Sequence, residues 1–220
     1  MIDQNILEKI GNKLSGSLVY DDLHKALYAT DASVYRKIPL AVAYPKDEKD
    51  LQILIEFATS NHLTLIPRTA GTSLAGQCVG EGIIVDVSKH FTNILAFDEL
   101  NKTITVEPGV VRDELNLFLK PFGLFFGPNT STSNRCMIGG MVGNNSCGSN
   151  SVVYRSVREH LLEVKALLSA PKKIVIVPHR NPDGDAIGST LGLMHYLKHY
   201  NHDVTVVAPN DYPHFLKWIP

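Results

Sequence analysis

The chain has 220 residues, 44% of them hydrophobic and 20% charged, enough to bury a sizeable core as one large or two small domains. A formal net charge of -1, with no run of Lys or Arg, argues against a nucleic-acid grip built on phosphate neutralisation. Apolar runs such as 83–87 and 174–177 are strand-length, far short of the roughly 20 residues of a membrane span. The three cysteines, Cys78, Cys136 and Cys147, lack metal-ligand spacing and suit a reduced, cytoplasmic setting.

In chain order, Ile2, Ile6, Ile10 and Leu14 recur at four-residue steps among charged residues, which predicts an amphipathic opening helix and not a secretion signal. Pro45 and Asp47 form a start signal for a second helix carrying Leu51, Leu54, Ile55 and Ala58 and ending near Asn61. A short buried strand is expected over 63–67 and another over 82–87. Residues 94–97 and 103–106 flank Asn101-Lys102 as an antiparallel hairpin. Leu115, Phe118, Leu119 and Phe122 mark a further helix stopped by Gly123. From 127 to 151 the composition turns to Gly, Asn, Ser and Thr, yet Met137, Ile138, Met141 and Val142 run through it, so this stretch is expected to be ordered. A strand over 161–168 should follow, then a strand at 174–177, a helix over 186–200 and a strand at 204–207, which make one β-α-β unit beginning near Ser169.

Two stretches carry chemistry in the first part. Residues 67–76 are a run of small side chains fed by a strand, a shape that aims consecutive backbone N–H groups at one anion, with Thr72 and Ser73 adding hydroxyls and Arg68 nearby support. The plainer alternative is a tight surface turn. The second stretch is Ile138-Gly139-Gly140-Met141-Val142-Gly143-Asn144-Asn145-Ser146-Cys147-Gly148, whose glycines permit backbone contact with a flat ring or a diphosphate while its asparagines offer amides that do not titrate. Its plainer alternative is glycine-enabled packing at a bend. Two close-approach surfaces suit one large ligand.

On these residues, 21–169 resembles the FAD-binding domain of the flavin dehydrogenases related to D-lactate dehydrogenase, glycolate oxidase and D-2-hydroxyglutarate dehydrogenase. Tyr28-Ala29-Thr30-Asp31-Ala32-Ser33, residues 67–76, Pro108-Gly109-Val110, Gly127-Pro128-Asn129-Thr130 and residues 138–148 fall in that family's order and spacing. The resemblance implies an α+β, PCMH-type fold of two subdomains over 1–169, incomplete at its C-terminal side, in an enzyme that oxidises a 2-hydroxy acid. It also implies FAD contacts at Arg68, Thr69, Ala70, Gly71, Thr72, Ser73, Gly139, Gly140, Asn144 and Gly148. Thr72 stands where some relatives carry a histidine that attaches the flavin, so the FAD is expected to be noncovalent. Where the family continues with Tyr-Gly, this chain has Tyr154-Arg155. His160 reads as structural or solvated, and no catalytic residue is assigned.

In the last part, His179, Asp183 and Asp185 cluster where a strand hands over to a helix, a donor set that suits Mn²⁺ or a similar ion. An Asn-Pro-Asp-Gly turn capping the helix is the plainer alternative. The segment 167–220 resembles the start of DHH-family phosphoesterases, the group of oligoribonucleases and phosphoadenosine-phosphate phosphatases. That resemblance implies a Rossmann-like β-α-β fragment over 170–220 with His179, Asp183 and Asp185 as metal ligands. His195, His199, His202 and His214 read as solvated. The chain is therefore expected to be a fusion of two partial coding regions: an FAD binder without its substrate domain, a phosphoesterase fragment, or a product with neither function.

Overall fold

A computed structural model of the chain describes residues 4–163, 173–176, 194–195, 198–199 and 203–206. It divides into two compact units, Met1–Val164 and Lys165–Pro220.

The first unit opens with helix α1 (Gln4–Gly11), which buries Leu7 and Ile10. Ile10 is buried and Leu14 packs on the core, as the predicted stripe has them, but Ile6 is exposed and Leu7 is buried in its place; Ile2 lies outside the described residues. Strand β1 (Ser17–Val19), helix α2 (Asp22–Leu27) and strand β2 (Ala41–Tyr44) follow. Helix α3 (Glu48–Ser60) then leads through β3 (Leu65–Arg68) to β4 (Ile83–Asp86). The four strands form one sheet in the order β1-β2-β4-β3, with β1 antiparallel and the other three mutually parallel. Parallel strands are covered on both faces and read as unbroken apolar runs, and β4 is buried along its whole length.

Helix α3 starts where Asp47 accepts a hydrogen bond from the Asp50 N–H at 2.9 Å, a side-chain N-cap. It lays Leu54 and Ala58 on the sheet. On the same inner face is Asp50, whose carboxylate accepts from the N–H groups of Ser15, Gly16 and Lys46 at 2.7, 2.8 and 2.8 Å. Burial pushes its pKa up, but these three donors together hold it below the usual aspartate value. The carboxylate thus ties the approach to β1 to the exit of β2. The fit is close, because a methyl group on Gly16 would collide with the Tyr44 carbonyl.

The second half of the unit is built on the hairpin β5 (Ile94–Asp98) and β6 (Thr103–Val106), with Lys102 in the left-handed region of its turn at φ 54°. Helix α4 (Arg112–Leu119) packs Leu115 and Leu119 against it, and Gly123 at φ 68° ends the following single turn, as its position in the sequence predicts. The glycine-rich stretch is ordered and partly helical: α5 spans Ile138–Gly143 and α6 spans Ser151–Tyr154. Met141 of α5, Cys136 and Val157 form a small core of their own. Of the strand expected over 161–168, residues 161–163 have no regular structure and the rest lie outside the described residues.

In the second unit, β7 (Lys173–Ile176) pairs in parallel with β8 (Asp203–Val206), and the described residues between them, 194–195 and 198–199, are helical. Parallel pairing across a helical connection is a β-α-β arrangement. His179, Asp183 and Asp185 lie outside the described residues. Among the described residues no group of three or more His, Cys, Asp or Glu could hold a metal ion, and no helix is long and apolar enough to cross a membrane.

Arg155 sits at φ 59°, ψ -158°, a region occupied almost only by glycine. This is the position at which the resembled family carries glycine. The strain has a measurable consequence: Arg155→Gly should raise the unfolding free energy by about 1 kcal/mol and the melting temperature by about 2–4 °C. A thermal melt in which the substitution lowers the midpoint would show that the backbone there is relaxed.

Candidate functional site

The site is assembled from the carboxyl end of β3 upward. Arg68 closes the strand opposite Asp86 of β4, and its carbonyl accepts from the Val87 N–H at 3.0 Å, the last rung of the ladder. The chain then leaves the sheet. Among the described residues, none of the five backbone N–H groups of Thr69, Ala70, Gly71, Thr72 and Ser73 donates to a protein acceptor. Native backbones leave few donors unmatched unless water or a ligand takes them, and no buried side-chain polar atom among the described residues lacks a partner. The donors on offer here are main-chain.

Local conformation follows from side-chain size. Gly71 adopts φ +66°, and a methyl group on it would stand 2.5 Å from the Arg68 guanidinium. Ser73 folds the end of the loop: its hydroxyl donates to the Gln77 side-chain oxygen at 2.8 Å and accepts from the Ala75 N–H at 3.1 Å. Leu74 is exposed beyond it.

The second glycine-rich stretch comes to the same place. Gly140 has no side chain where a methyl group would meet the Thr69 hydroxyl at 2.5 Å, and its own N–H has no protein acceptor among the described residues. Gly139 lies against Pro108, where an added methyl would meet the ring at 2.4 Å, and its N–H donates to the Pro108 carbonyl at 2.9 Å. The amide of Gln77 donates to the Asn144 side-chain oxygen at 2.8 Å, which pins the loop to the end of α5. Loop and helix thus present one surface of small groups and N–H donors.

Not every residue singled out in the sequence faces that surface. Arg68 turns its guanidinium to the Thr30 carbonyl at 2.8 Å and to the ring of Tyr28 at 5.0 Å. Gly148 packs on the Asn129 carbonyl so closely that no side chain fits, and its N–H donates to the Ser151 hydroxyl at 2.7 Å. His160 donates from Nε2 to the Tyr154 carbonyl at 2.6 Å and lies edge-on to Phe126, a satisfied structural histidine. Sequence reasoning missed Gln77 as a bridge and Asp86 as a support. Gln77 carries no signal in the sequence, whereas Asp86 ends an apolar strand, where a lone acid invites a partner.

That partner is Tyr28, whose hydroxyl donates to Asp86 Oδ2 at 2.5 Å. Burial and the neighbouring carboxylate push the phenol far above its ordinary value, so it stays a donor. Burial likewise pushes up the Cys78 thiol, which lies 3.7 Å from Asp31. Beside Tyr28 lies a cavity of about 460 Å³ lined by Ser17, His24, Tyr44, Asp86 and Lys89 among others.

A strand-fed loop of N–H groups without acceptors among the described residues, beside a glycine-rich helix in an α+β frame, is an arrangement suited to an anion such as a nucleotide diphosphate. Residues 39–175 match the family model described as FAD binding domain, and the chain belongs to that family. Residues 173–220 match the DHH family, N-terminal domain, so that strand β7 begins inside both matches. Over 143 residues the chain is 41% identical to D-2-hydroxyglutarate dehydrogenase of Pantoea ananatis, an alignment covering 64% of this chain and 14% of that protein. It is 30% identical over 173 residues to glycolate oxidase subunit GlcD of Bacillus subtilis, covering 77% of this chain and 37% of that one. The fold resembles alkyldihydroxyacetonephosphate synthase at TM-score 0.64 and 16% identity, over 72% of this chain and 35% of that chain. The chain thus spans well under half the length of these relatives, and its first unit has the PCMH-type α+β fold.

Two glycines of α5 respond differently to an added methyl group. Gly139→Ala pushes on the Pro108 ring and backbone and should lower stability by about 1–3 kcal/mol. Gly143→Ala meets nothing within 4 Å and should be neutral or stabilising by about 0.5–1 kcal/mol. Urea midpoints of the two variants check both signs, and equal midpoints would contradict the packing described.

Proposed function

We propose that residues 4–163 hold FAD noncovalently, as the cofactor domain of an oxidoreductase that acts on a 2-hydroxy acid. The observation that carries this reading is the set of N–H groups over residues 69–73 without acceptors among the described residues, in a loop whose Thr69 hydroxyl lies against the bare α-carbon of Gly140. In it, Thr69, Ala70, Gly71, Thr72 and Ser73 hold the diphosphate, each charge-assisted hydrogen bond contributing about 1.5–3 kcal/mol. Gly139, Gly140 and Asn144 give the cofactor a surface that side chains would block. Arg68 and Gly148 shape the two segments from behind. Thr72 has a hydroxyl and no ring nitrogen, which supports a noncovalent link.

Bound FAD would supply the hydride acceptor, while this chain contributes position and electrostatics. The hydroxy-acid substrate rests on the names of the relatives, and so do the missing parts: the chain covers 14% of the Pantoea enzyme. We therefore assign cofactor binding and no turnover to the chain alone. The three free cysteines fit a reduced compartment such as the cytoplasm, and the net charge of -1 fits a protein that does not bind nucleic acid through its phosphates.

A second reading concerns the tail alone. The match of residues 173–220 to the DHH N-terminal domain favours His179, Asp183 and Asp185 as donors to Mn²⁺. One purified preparation serves both readings. Titration with FAD should give a stoichiometric yellow complex that reduces no dye when D-lactate or D-2-hydroxyglutarate is added. A folded chain that leaves FAD free overturns the first reading, and rapid substrate-dependent dye reduction overturns the absence of turnover. Electron spin resonance of added Mn²⁺ should show a bound fraction that Asp185→Asn removes, and manganese that stays free sinks the second reading.

A further inference from the structure

Five adjacent N–H groups without acceptors do not hold a shape by themselves. The 69–73 loop lacks the internal hydrogen bonds that keep an ordinary turn in place, so its conformation has to come from outside. Besides the contacts with α5, it is held by one short segment, Tyr28-Ala29-Thr30-Asp31-Ala32-Ser33. The Arg68 guanidinium stands 5.0 Å from the centre of the Tyr28 ring, donates to the Thr30 carbonyl at 2.8 Å and reaches the Tyr28 carbonyl at 3.5 Å. The same guanidinium touches Gly71, where an added methyl would approach it to 2.5 Å. A second tie joins the segments directly, from the Ala32 N–H to the Gly71 carbonyl at 3.2 Å.

The ring under the guanidinium is itself fixed. Its hydroxyl is bonded to Asp86 at 2.5 Å, its edge meets Tyr44 with 5.9 Å between centroids, and its backbone N–H closes α2 on the His24 carbonyl. Asp86 is buried at the end of β4, with its other oxygen on the Ser88 N–H at 2.8 Å. A rigid chain of contacts therefore runs from the central strand through Asp86, Tyr28 and Arg68 to the loop.

We infer that Tyr28 is a positioning residue for FAD binding, acting through the Arg68 guanidinium stacked on its ring to hold the 69–73 loop open. The inference rests on the FAD reading for its ligand but not for its geometry. Holding an empty loop in its binding shape cuts the ordering cost of association. A guanidinium is suited to the task because it stacks on an aromatic face and donates in its own plane at once. With Nη1 bound to the Thr30 and Tyr28 carbonyls at 2.8 and 3.5 Å, Arg68 serves as a strut. Its charge contributes little to the salt dependence of binding.

The test combines a ligand-free readout with an affinity. In the full chain without FAD, amide order parameters at Gly71 and Thr72 should be about 0.85 and should fall below about 0.6 in Tyr28→Leu. The amides of β2 and β4 should be unchanged. Tyr28→Phe keeps the ring under the guanidinium and its edge contact with Tyr44 but loses the bond to Asp86, and should retain more order and tighter binding than Tyr28→Leu. The FAD dissociation constant should rise about tenfold in Tyr28→Leu and in Arg68→Gln, and no further in the double variant, because the two act as one unit. Arg68→Gln should leave the salt dependence of FAD affinity as in the unmodified chain. An ordered Gly71 in Tyr28→Leu, additive losses in the double variant, or a flattened salt dependence in Arg68→Gln would overturn the inference. If Tyr28→Leu does not fold, Arg68→Gln carries the same test, with an unchanged order parameter at Gly71 as the overturning result. A chain whose Gly71 is ordered through Tyr28 yet leaves FAD unbound contradicts the cofactor reading and keeps the strut.

Discussion

Peptide nitrogens can serve a ligand only where nothing stands in front of them, and the first unit is arranged to meet that condition at the end of β3. Among the described residues the N–H groups of Thr69 to Ser73 have no acceptor, Gly71 takes a left-handed turn over Arg68, and Gly140 offers a bare α-carbon to Thr69. The rest of the unit serves this juxtaposition. Asp50 knots β1 to β2, β4 fixes Asp86 under Tyr28, and Pro108 seats Gly139 at the start of α5. An alanine at Gly139 would meet the Pro108 ring and backbone, one at Gly140 the Thr69 hydroxyl, and one at Gly71 the end of the Arg68 side chain. Gly143, facing open space, is the instructive exception.

The parts of the fold that were legible in the sequence are those with a period or a cap. Asp47 announces α3 because its carboxylate is the N-cap, the β5–β6 pair declares itself through alternation around a turn, and Gly123 ends a helix because it alone tolerates the left-handed cap. Strands β1 and β2 passed unseen, since three or four residues rich in small side chains show no period. In the opening helix the four-residue spacing picks out Ile10 and Leu14, which lie inward, but Ile6 where Leu7 is buried, because a strict step of four drifts from the 3.6-residue turn. The helical turn of α5 was hidden for the opposite reason, because glycine disfavours helix and only the tertiary contacts with Pro108 and Val110 hold it there.

For the site, sequence composition pointed to the two glycine-rich stretches but not to what lies behind them. Nothing in the local sequence says that Arg68 donates to the Thr30 carbonyl, or that Gln77 reaches Asn144 across sixty-seven positions. Such long-range contacts depend on the crossover that brings β3 beside β4. The tail is a separate matter. Its strand β7 begins within the matches to both families and is hydrogen-bonded to β8, so the polypeptide that continues the flavin family's pattern is committed to a different sheet. Val152 and Leu162 are exposed hydrophobic residues near the end of the first unit.

The central claim is that main-chain nitrogens over residues 69–73 grasp a diphosphate, and amide resonances report it directly. Titrating the labelled chain with ADP, and separately with adenosine, isolates the two phosphates from the rest of the cofactor. The signals of Gly71, Thr72 and Ser73 should move with ADP as they do with FAD and stay in place with adenosine. Resonances that ignore ADP and FAD alike, or shifts centred instead on Tyr44 and Lys89 at the neighbouring cavity, would contradict the account.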